Sequence, residues 1–252
     1  MQGYGPSTYG DRIADTYDAW YGDHPTTAAA VATLADSARS TRSGRVLELG
    51  VGSGRLAVPL AEHDIEVWGI DASEAMVEQL RAKPGGDRVR VTIGDMADLD
   101  LRAIDGGDTA TFGVVFVAVN TFFLLTDEEA QRRCLQRVAS VLDQDGMFLL
   151  EAFVPIVDPP TNVVEARTVE TDHVILTATR HDPDSQMAWG QMIEIRESGI
   201  RLRPVTVRYA RPEQLDAMAA AAGLTLRERW SDWSGTPFTD SDTGHVSIYV
   251  HR

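Results

Sequence analysis

Residues 46–55 read Val46-Leu47-Glu48-Leu49-Gly50-Val51-Gly52-Ser53-Gly54-Arg55. A short aliphatic run, suited to a buried strand, ends in three glycines at alternate positions, and a helical pattern follows. Glycine has no Cβ, so such a turn bends tightly and lets a ligand approach the backbone. Asp71 comes 21 residues after Gly50, at the end of the next aliphatic run. An acid there can accept hydrogen bonds from a ribose diol.

Two nucleotide classes fit this pattern. A dinucleotide fingerprint wants G-x-G-x-x-G. Here Gly54 is one residue early and Arg55 stands at the expected place. Glu48 puts a carboxylate beside the turn, which suits a ligand carrying an amino group better than one carrying phosphates. Both features disfavour a nicotinamide-dependent oxidoreductase.

Outward from the turn, strand patterns at 45–50, 66–70, 89–93, 113–119 and 146–153 alternate with helical patterns at 54–62, 74–82 and 127–141. Aliphatic strands alternating with amphipathic helices imply a parallel sheet covered on both faces. After Pro155, residues 163–180, 187–198 and 201–209 alternate polar and apolar, as an antiparallel meander does. Pro212 and Gly223 bracket a helix over 212–222. Strands near 224–230 and 245–251 close the chain. The first 40 residues read as helical and rich in aromatics.

With ELGVGSG (48–54), the acid in GIDAS (69–73) and GDM (94–96), the chain resembles the class I S-adenosylmethionine-dependent methyltransferases. The resemblance covers 45–153 strongly and the C-terminal segments more loosely. It implies an α/β, Rossmann-like fold with a seven-stranded, mostly parallel sheet. Four regions follow: a helical lid (1–40), the cofactor-binding core (41–154), an antiparallel β insertion over the acceptor (155–210) and the completing helix and strands (211–252). By the same resemblance S-adenosylmethionine is held by Tyr17, Glu48, Gly50, Gly52, Gly54, Arg55, Asp71, Ala72, Met76, Asp95 and Met96. The glycines cradle its methionine part, Asp71 takes the ribose, and Asp95 with Met96 frames the adenine. Met76 fits either the adenine or the core. Arg55 fits either the cofactor carboxylate or a surface ion pair.

In open parallel sheets ligands bind beyond the carboxyl ends of the strands. The fourth strand is followed by Asn120-Thr121-Phe122-Phe123, so Asn120 and Phe122 are expected to shape the acceptor pocket. Tyr9 and Tyr17, eight residues apart, share a face of a continuous helix. Laid over the cofactor, they would orient the acceptor, and their rings suit a cation. Lid packing alone is the other reading of both. No metal is expected, because the first acid after the fourth strand is Asp127. Cys134 falls in a helical pattern, which argues against a cysteine nucleophile.

The layout is similar to methyltransferases acting on amines of antibiotics and aminosugars, the lincosamide type included. The aromatic first helix, the turn at 120–123, the insertion and the Trp233–Phe238 loop carry that similarity. It implies in-line methyl transfer to a small-molecule amine. O-methylation with His173 or His181 as base is an alternative, as is a non-catalytic adenosine-ligand sensor.

The 252 residues carry 38 acidic and 23 basic side chains, a net charge of −15. That excludes phosphate-backbone binding by basic clusters. Lys83 is the only lysine, so 22 arginines remain, a skew pointing to a high-GC bacterial genome. One cysteine excludes an internal disulfide. No apolar run approaches the roughly 20 residues that span a bilayer, and the N-terminus lacks a signal-peptide pattern. A cytoplasmic protein without a membrane partner is expected, and a homo-oligomer stays open.

Overall fold

The computed structural model describes residues 3–99 and 110–252. Strands β1 (Val46–Leu49), β2 (Val67–Asp71), β3 (Arg90–Ile93), β4 (Phe112–Val117) and β5 (Leu142–Phe153) run parallel. Strands β6 (Asn162–Val169), β7 (His173–Asp182), β8 (Met187–Arg196) and β9 (Gly199–Arg208) form a separate antiparallel sheet in chain order. Strands β10 (Leu224–Trp230) and β11 (Gly244–His251) return to the first sheet, with β11 antiparallel to β5. Its order is β10-β11-β5-β4-β1-β2-β3. This is the seven-stranded, mostly parallel sheet expected from the sequence.

The helices described are α1 (Thr8–Tyr21), α2 (Thr27–Arg39), α3 (Ala57–Ala61), α4 (Glu74–Ala82), α5 (Glu128–Val141) and α6 (Pro212–Ala221). Side-chain caps start two of them: Ser73 Oγ accepts from Met76 N, and Asp127 Oδ1 accepts from Ala130 N. Every residue of β1 and β4 is buried, as central strands covered on both faces must be. On one face Leu34 and Leu60 pack against Val46 and Phe116. On the other, Leu135 and Leu215 pack against Leu47 and Phe148. Among the described residues no helix is long and apolar enough to cross a membrane.

Three local differences from the sequence reading have physical causes. The stretch 163–180 is two strands, because the chain turns at 170–172 and Glu170 N donates to His173 O. Helix α3 is shorter than 54–62, because the third left-handed glycine, Gly54, delays its start. The helical N-terminus also divides in function. Helix α2 buries Ala30, Leu34 and Ala38 in the core, whereas α1 lies across the ends of the strands.

Candidate active site

Gly50, Gly52 and Gly54 have φ of 71°, 54° and 78°, a left-handed run that side chains resist. A Cβ on Gly50 would collide with Thr121 Cγ2, and one on Gly52 would lie 3.0 Å from Met76 Cε. The loop therefore presents bare backbone to a cleft. The cleft opens beyond the carboxyl ends of β1 to β4.

Its polar wall is acidic. Glu48 is 5% exposed, and its Oε2 has no hydrogen-bond partner. Burial pushes its carboxyl up to about 8, against the pull of Arg55 and with a further push from Asp71. Asp71 accepts from Gly52 N through Oδ2 and from Ser73 N through Oδ1, both at 2.8 Å. Burial raises its pKa, and those backbone N–H groups oppose the rise. Each of its oxygens keeps a lone pair for a further donor. Asp95 Oδ1 accepts from Ala97 N at 2.8 Å, which opens a short 3₁₀ turn over Met96–Asp98.

Helix α1 forms the roof. Asp11 Oδ1 accepts from Ser73 Oγ at 2.6 Å. Asp18 accepts from Ser53 Oγ at 2.6 Å and from Lys83 Nζ at 2.8 Å, while Lys83 also donates to the Ser53 carbonyl. The chain's only lysine thus ties the roof to the glycine loop. From above, Arg203 of β9 donates to Asp15 and to Glu194. Ile13 is fully buried beside Met76 and Met192. So pinned, α1 aims Tyr9 and Tyr17 into the cleft. Burial raises both phenol pKa values, well above the usual range for Tyr9; Arg55 opposes the rise at Tyr17. Arg55 Nη1 donates to Thr27 Oγ1 at 2.8 Å, which holds the guanidinium at the cavity wall.

Eleven sequence-predicted residues line this one cavity: Tyr9, Tyr17, Glu48, Gly50, Gly52, Arg55, Asp71, Ala72, Met76, Asp95 and Met96. Met76 serves the core as well, being 4% exposed. Gly54 is not on the wall; it lets the loop close against Val58 and Leu80. Two further expectations need correction. Phe122 is fully buried and turned into the core, 6.4 Å between ring centroids from Phe123. Asn120 is not a lining residue; its Oδ1 accepts from Phe153 N at 2.6 Å and ties the turn to the end of β5. Val119 and Asn120 have φ of 50° and 63°, and this left-handed pair puts Thr121 on the wall instead. Glu151 Oε2 holds the strained turn by accepting from Val119 N at 2.8 Å.

His173 pairs with Asp172 at 2.8 Å, and neither His173 nor His181 lines the cavity. The loop after β10 packs Trp233, 1% exposed, against α2, where Thr33 Oγ1 donates to its carbonyl. Sequence reasoning missed the roof's anchors, Asp11, Asp18 and Lys83. Their signal was present: Asp11, Asp15 and Asp18 recur at helical spacing, which puts all three on related faces of α1. Among the described residues no cluster could hold a metal ion.

The orphaned carboxyl oxygen of Glu48, the bare glycine cradle and the lone pairs of Asp71 fit the amino group, methionine chain and ribose of S-adenosylmethionine. Comparisons with known proteins agree. The methyltransferase domain family matches residues 46–146. The solved CcbJ methyltransferase from Streptomyces caelestis is 36% identical, with a TM-score of 0.87 over 98% of this chain and 99% of that one. Cypemycin N-terminal methyltransferase from Streptomyces sp is 25% identical over 93% of this chain and 94% of its own length. The amino pentose methyltransferase CalS10 from Micromonospora echinaspora, solved with S-adenosylmethionine bound, shares the fold. Its TM-score is 0.67 and its identity 20%, over 93% of this chain and 96% of that one.

Proposed function

The chain belongs to the class I S-adenosylmethionine-dependent methyltransferases, and from that premise we propose that its acceptor is an amine of a small molecule of secondary metabolism. The observation that carries this reading is the composition of the roof end of the cavity. Tyr9 and Tyr17 project there beside Arg55, and no histidine is among the described lining residues. A hydroxyl acceptor needs a base to take its proton as it reacts. An amine brings its own lone pair once deprotonated, so positioning suffices.

When bound, S-adenosylmethionine supplies a methyl group on a positively charged sulfur, already activated toward a nucleophile. The chain's residues do the rest. Glu48 would hold the amino group, Asp71 the ribose hydroxyls, and Asp95, Met96 and Met76 the adenine. Gly50 and Gly52 admit the methionine chain. Helix α1 keeps water out while Tyr9 and Tyr17 hold the amine in line with the methyl. Burial keeps both phenols neutral. Each oxygen can therefore accept from the amine N–H and pass a proton outward through its own O–H. Asn120 is a positioning residue for the floor, and Phe122 backs the same turn from the core.

The relatives support an amine. One is named for methylating the N-terminus of cypemycin, and the fold neighbour for an amino pentose. The O-methylating alternative lacks a base in the cavity. With a net charge of −15 and Arg55 the one basic residue among the described lining residues, the reading keeps nucleic acid out of the acceptor role. The test is incubation of the protein with S-adenosylmethionine and a panel of amines and matched alcohols. Mass spectrometry should find a gain of one methylene on an amine. Methylation confined to alcohols, abolished by His173→Ala or His181→Ala, would overturn the assignment.

A further inference from the structure

Strand β6 is an edge of the antiparallel sheet, and a bulge interrupts it. Ala166 pairs with Leu176 and Thr168 with Ile175, so Arg167 is the extra residue between them. A bulge re-aims the side chain it carries, and bulges gather beside active sites. Here the re-aimed group is a guanidinium, and it meets the last turn of α1. Its Cζ lies 5.0 Å from the Tyr21 ring centre and 5.7 Å from that of Trp20. Nη1 donates to Tyr21 Oη at 2.8 Å and to Met192 Sδ at 3.5 Å.

These contacts put a positive charge beside the roof end of the cavity. The Tyr21 ring packs on Tyr17 at 5.0 Å between centroids, and Tyr17 lines the cavity. Two such ring-sized steps lead from the cavity wall to the guanidinium. The charge reaches Tyr9, where it opposes the rise that burial imposes on the phenol. Arg167 is exposed, so a ligand that extends from the cavity past Tyr21 can meet it.

The fold leaves this charge unanswered. Arg203 shares the Trp20 ring, its Cζ 5.0 Å from the centre, but Asp15 and Glu194 pair with it. Arg167 has no carboxylate partner among the described residues, in a chain with 38 acids. Its Nε and Nη2 have no hydrogen-bond acceptor there either, since Nη1 makes both bonds. That free edge can grip a carboxylate with two parallel bonds or donate to a carbonyl oxygen. Tyr21 already fixes the plane of the group, so little side-chain freedom is lost on binding.

We propose that Arg167 determines acceptor specificity by binding a carboxylate or carbonyl oxygen that lies several bonds from the reacting amine. The proposal rests on the amine reading above and adds a second functional group to the acceptor. The amine sits between Tyr9 and Tyr17, and the oxygen sits beyond Tyr21 on the free edge of the guanidinium. An amine with no oxygen at that distance leaves the edge to water.

The test is titration calorimetry on the full chain saturated with S-adenosylhomocysteine. The ligands are 6-aminohexanoate, 6-aminohexanamide and hexylamine, which share one amine and one chain length. The two oxygen-bearing amines should bind about 10-fold or more tighter than hexylamine. A larger gain for the carboxylate assigns the subsite to an anion, and an equal or larger gain for the amide assigns it to a carbonyl. Arg167→Met should erase the gain while hexylamine and S-adenosylhomocysteine bind as before. Arg167→Lys, which keeps the charge, should retain part of the gain for the carboxylate. Equal binding of all three amines to the wild-type chain overturns the proposal. So does a preference that survives Arg167→Met, or an Arg167→Met chain that weakens all three alike, as a purely structural arginine would. If none of the three binds although other amines are methylated, the proposal falls and the amine reading stands. If no amine is methylated at all, the amine reading falls and takes the proposal with it.

Discussion

A buried carboxyl group with one unpartnered oxygen is costly to ionise, and Glu48 shows the cost as a titration near 8. Its unfolded-state value is 4.5. Between these values the folded chain binds more protons than the unfolded one, so stability is lost as pH rises through that window. Glu48→Gln removes the loss. Its cofactor-free form should be more stable than wild type at pH 9, by up to a few kcal/mol in denaturant melts, with the two converging near pH 5. The same change should weaken S-adenosylhomocysteine binding about 10- to 100-fold by titration calorimetry, since a charge-assisted bond is lost. At Gly50, an alanine would meet Thr121 Cγ2 at a left-handed φ. Gly50→Ala should destabilise the fold by about 2 kcal/mol or more. Adding Thr121→Ser, which deletes the offending methyl, should recover part of that in denaturant melts. Tyr9→Phe and Tyr17→Phe should lower kcat about 10-fold or more with KM for the cofactor little changed, as measured by steady-state kinetics. Spacing made Glu48, Asp71 and Asp95 legible, because acids at strand ends recur at the length of a strand-helix unit. It could not place the residues after β4. Successive left-handed residues at Val119 and Asn120 change which side chain faces the cleft; Asn adopts that conformation readily, but a β-branched Val gives no sign of it.

At the scale of elements, α1 is held by polar bonds to parts that come from far along the chain. Asp18 bonds Ser53 and Lys83, Asp11 bonds Ser73, and Asp15 bonds Arg203. The Lys83–Asp18 pair is partly exposed, so its worth is about 0.5–1 kcal/mol. Lys83→Met should therefore raise the cofactor dissociation rate about two- to five-fold in stopped-flow measurements. Amide exchange over 8–21 should quicken while exchange in β4 stays unchanged. That α1 is a helix was legible from its pattern; that it covers the site while α2 serves the core was not, because both are helical and partly apolar. The turn at 170–172 was hidden for a related reason. Glu170-Thr171-Asp172 contains neither glycine nor proline, the strongest turn signals.

Over the whole molecule, ligand binding and folding are linked. S-adenosylhomocysteine at about 100 times its Kd should stabilise the chain by about 2.7 kcal/mol, a rise in Tm of several degrees by calorimetry. NAD at the same concentration should leave Tm unchanged, since the loop offers a carboxylate where a diphosphate would lie. That the main sheet is largely parallel was legible, because its buried central strands leave aliphatic runs alternating with helical patterns; the order of its strands was not. The relation of the second sheet to the first was not, since it depends on contacts between distant segments.

Those contacts include the place where the insertion begins and ends. Phe153 closes β5 and Tyr209 follows β9, and their rings lie 6.2 Å apart. The 55 or so intervening residues leave the core and return to it at one point, as loop insertions must to be tolerated. The catalytic floor is thus built without them, and the roof's upper support is a detachable cassette. Grafting 154–208 from a related enzyme onto this core should leave donor affinity with the recipient, since no residue of that segment is among those lining the cavity. A lineage could trade that one segment without rebuilding the donor site.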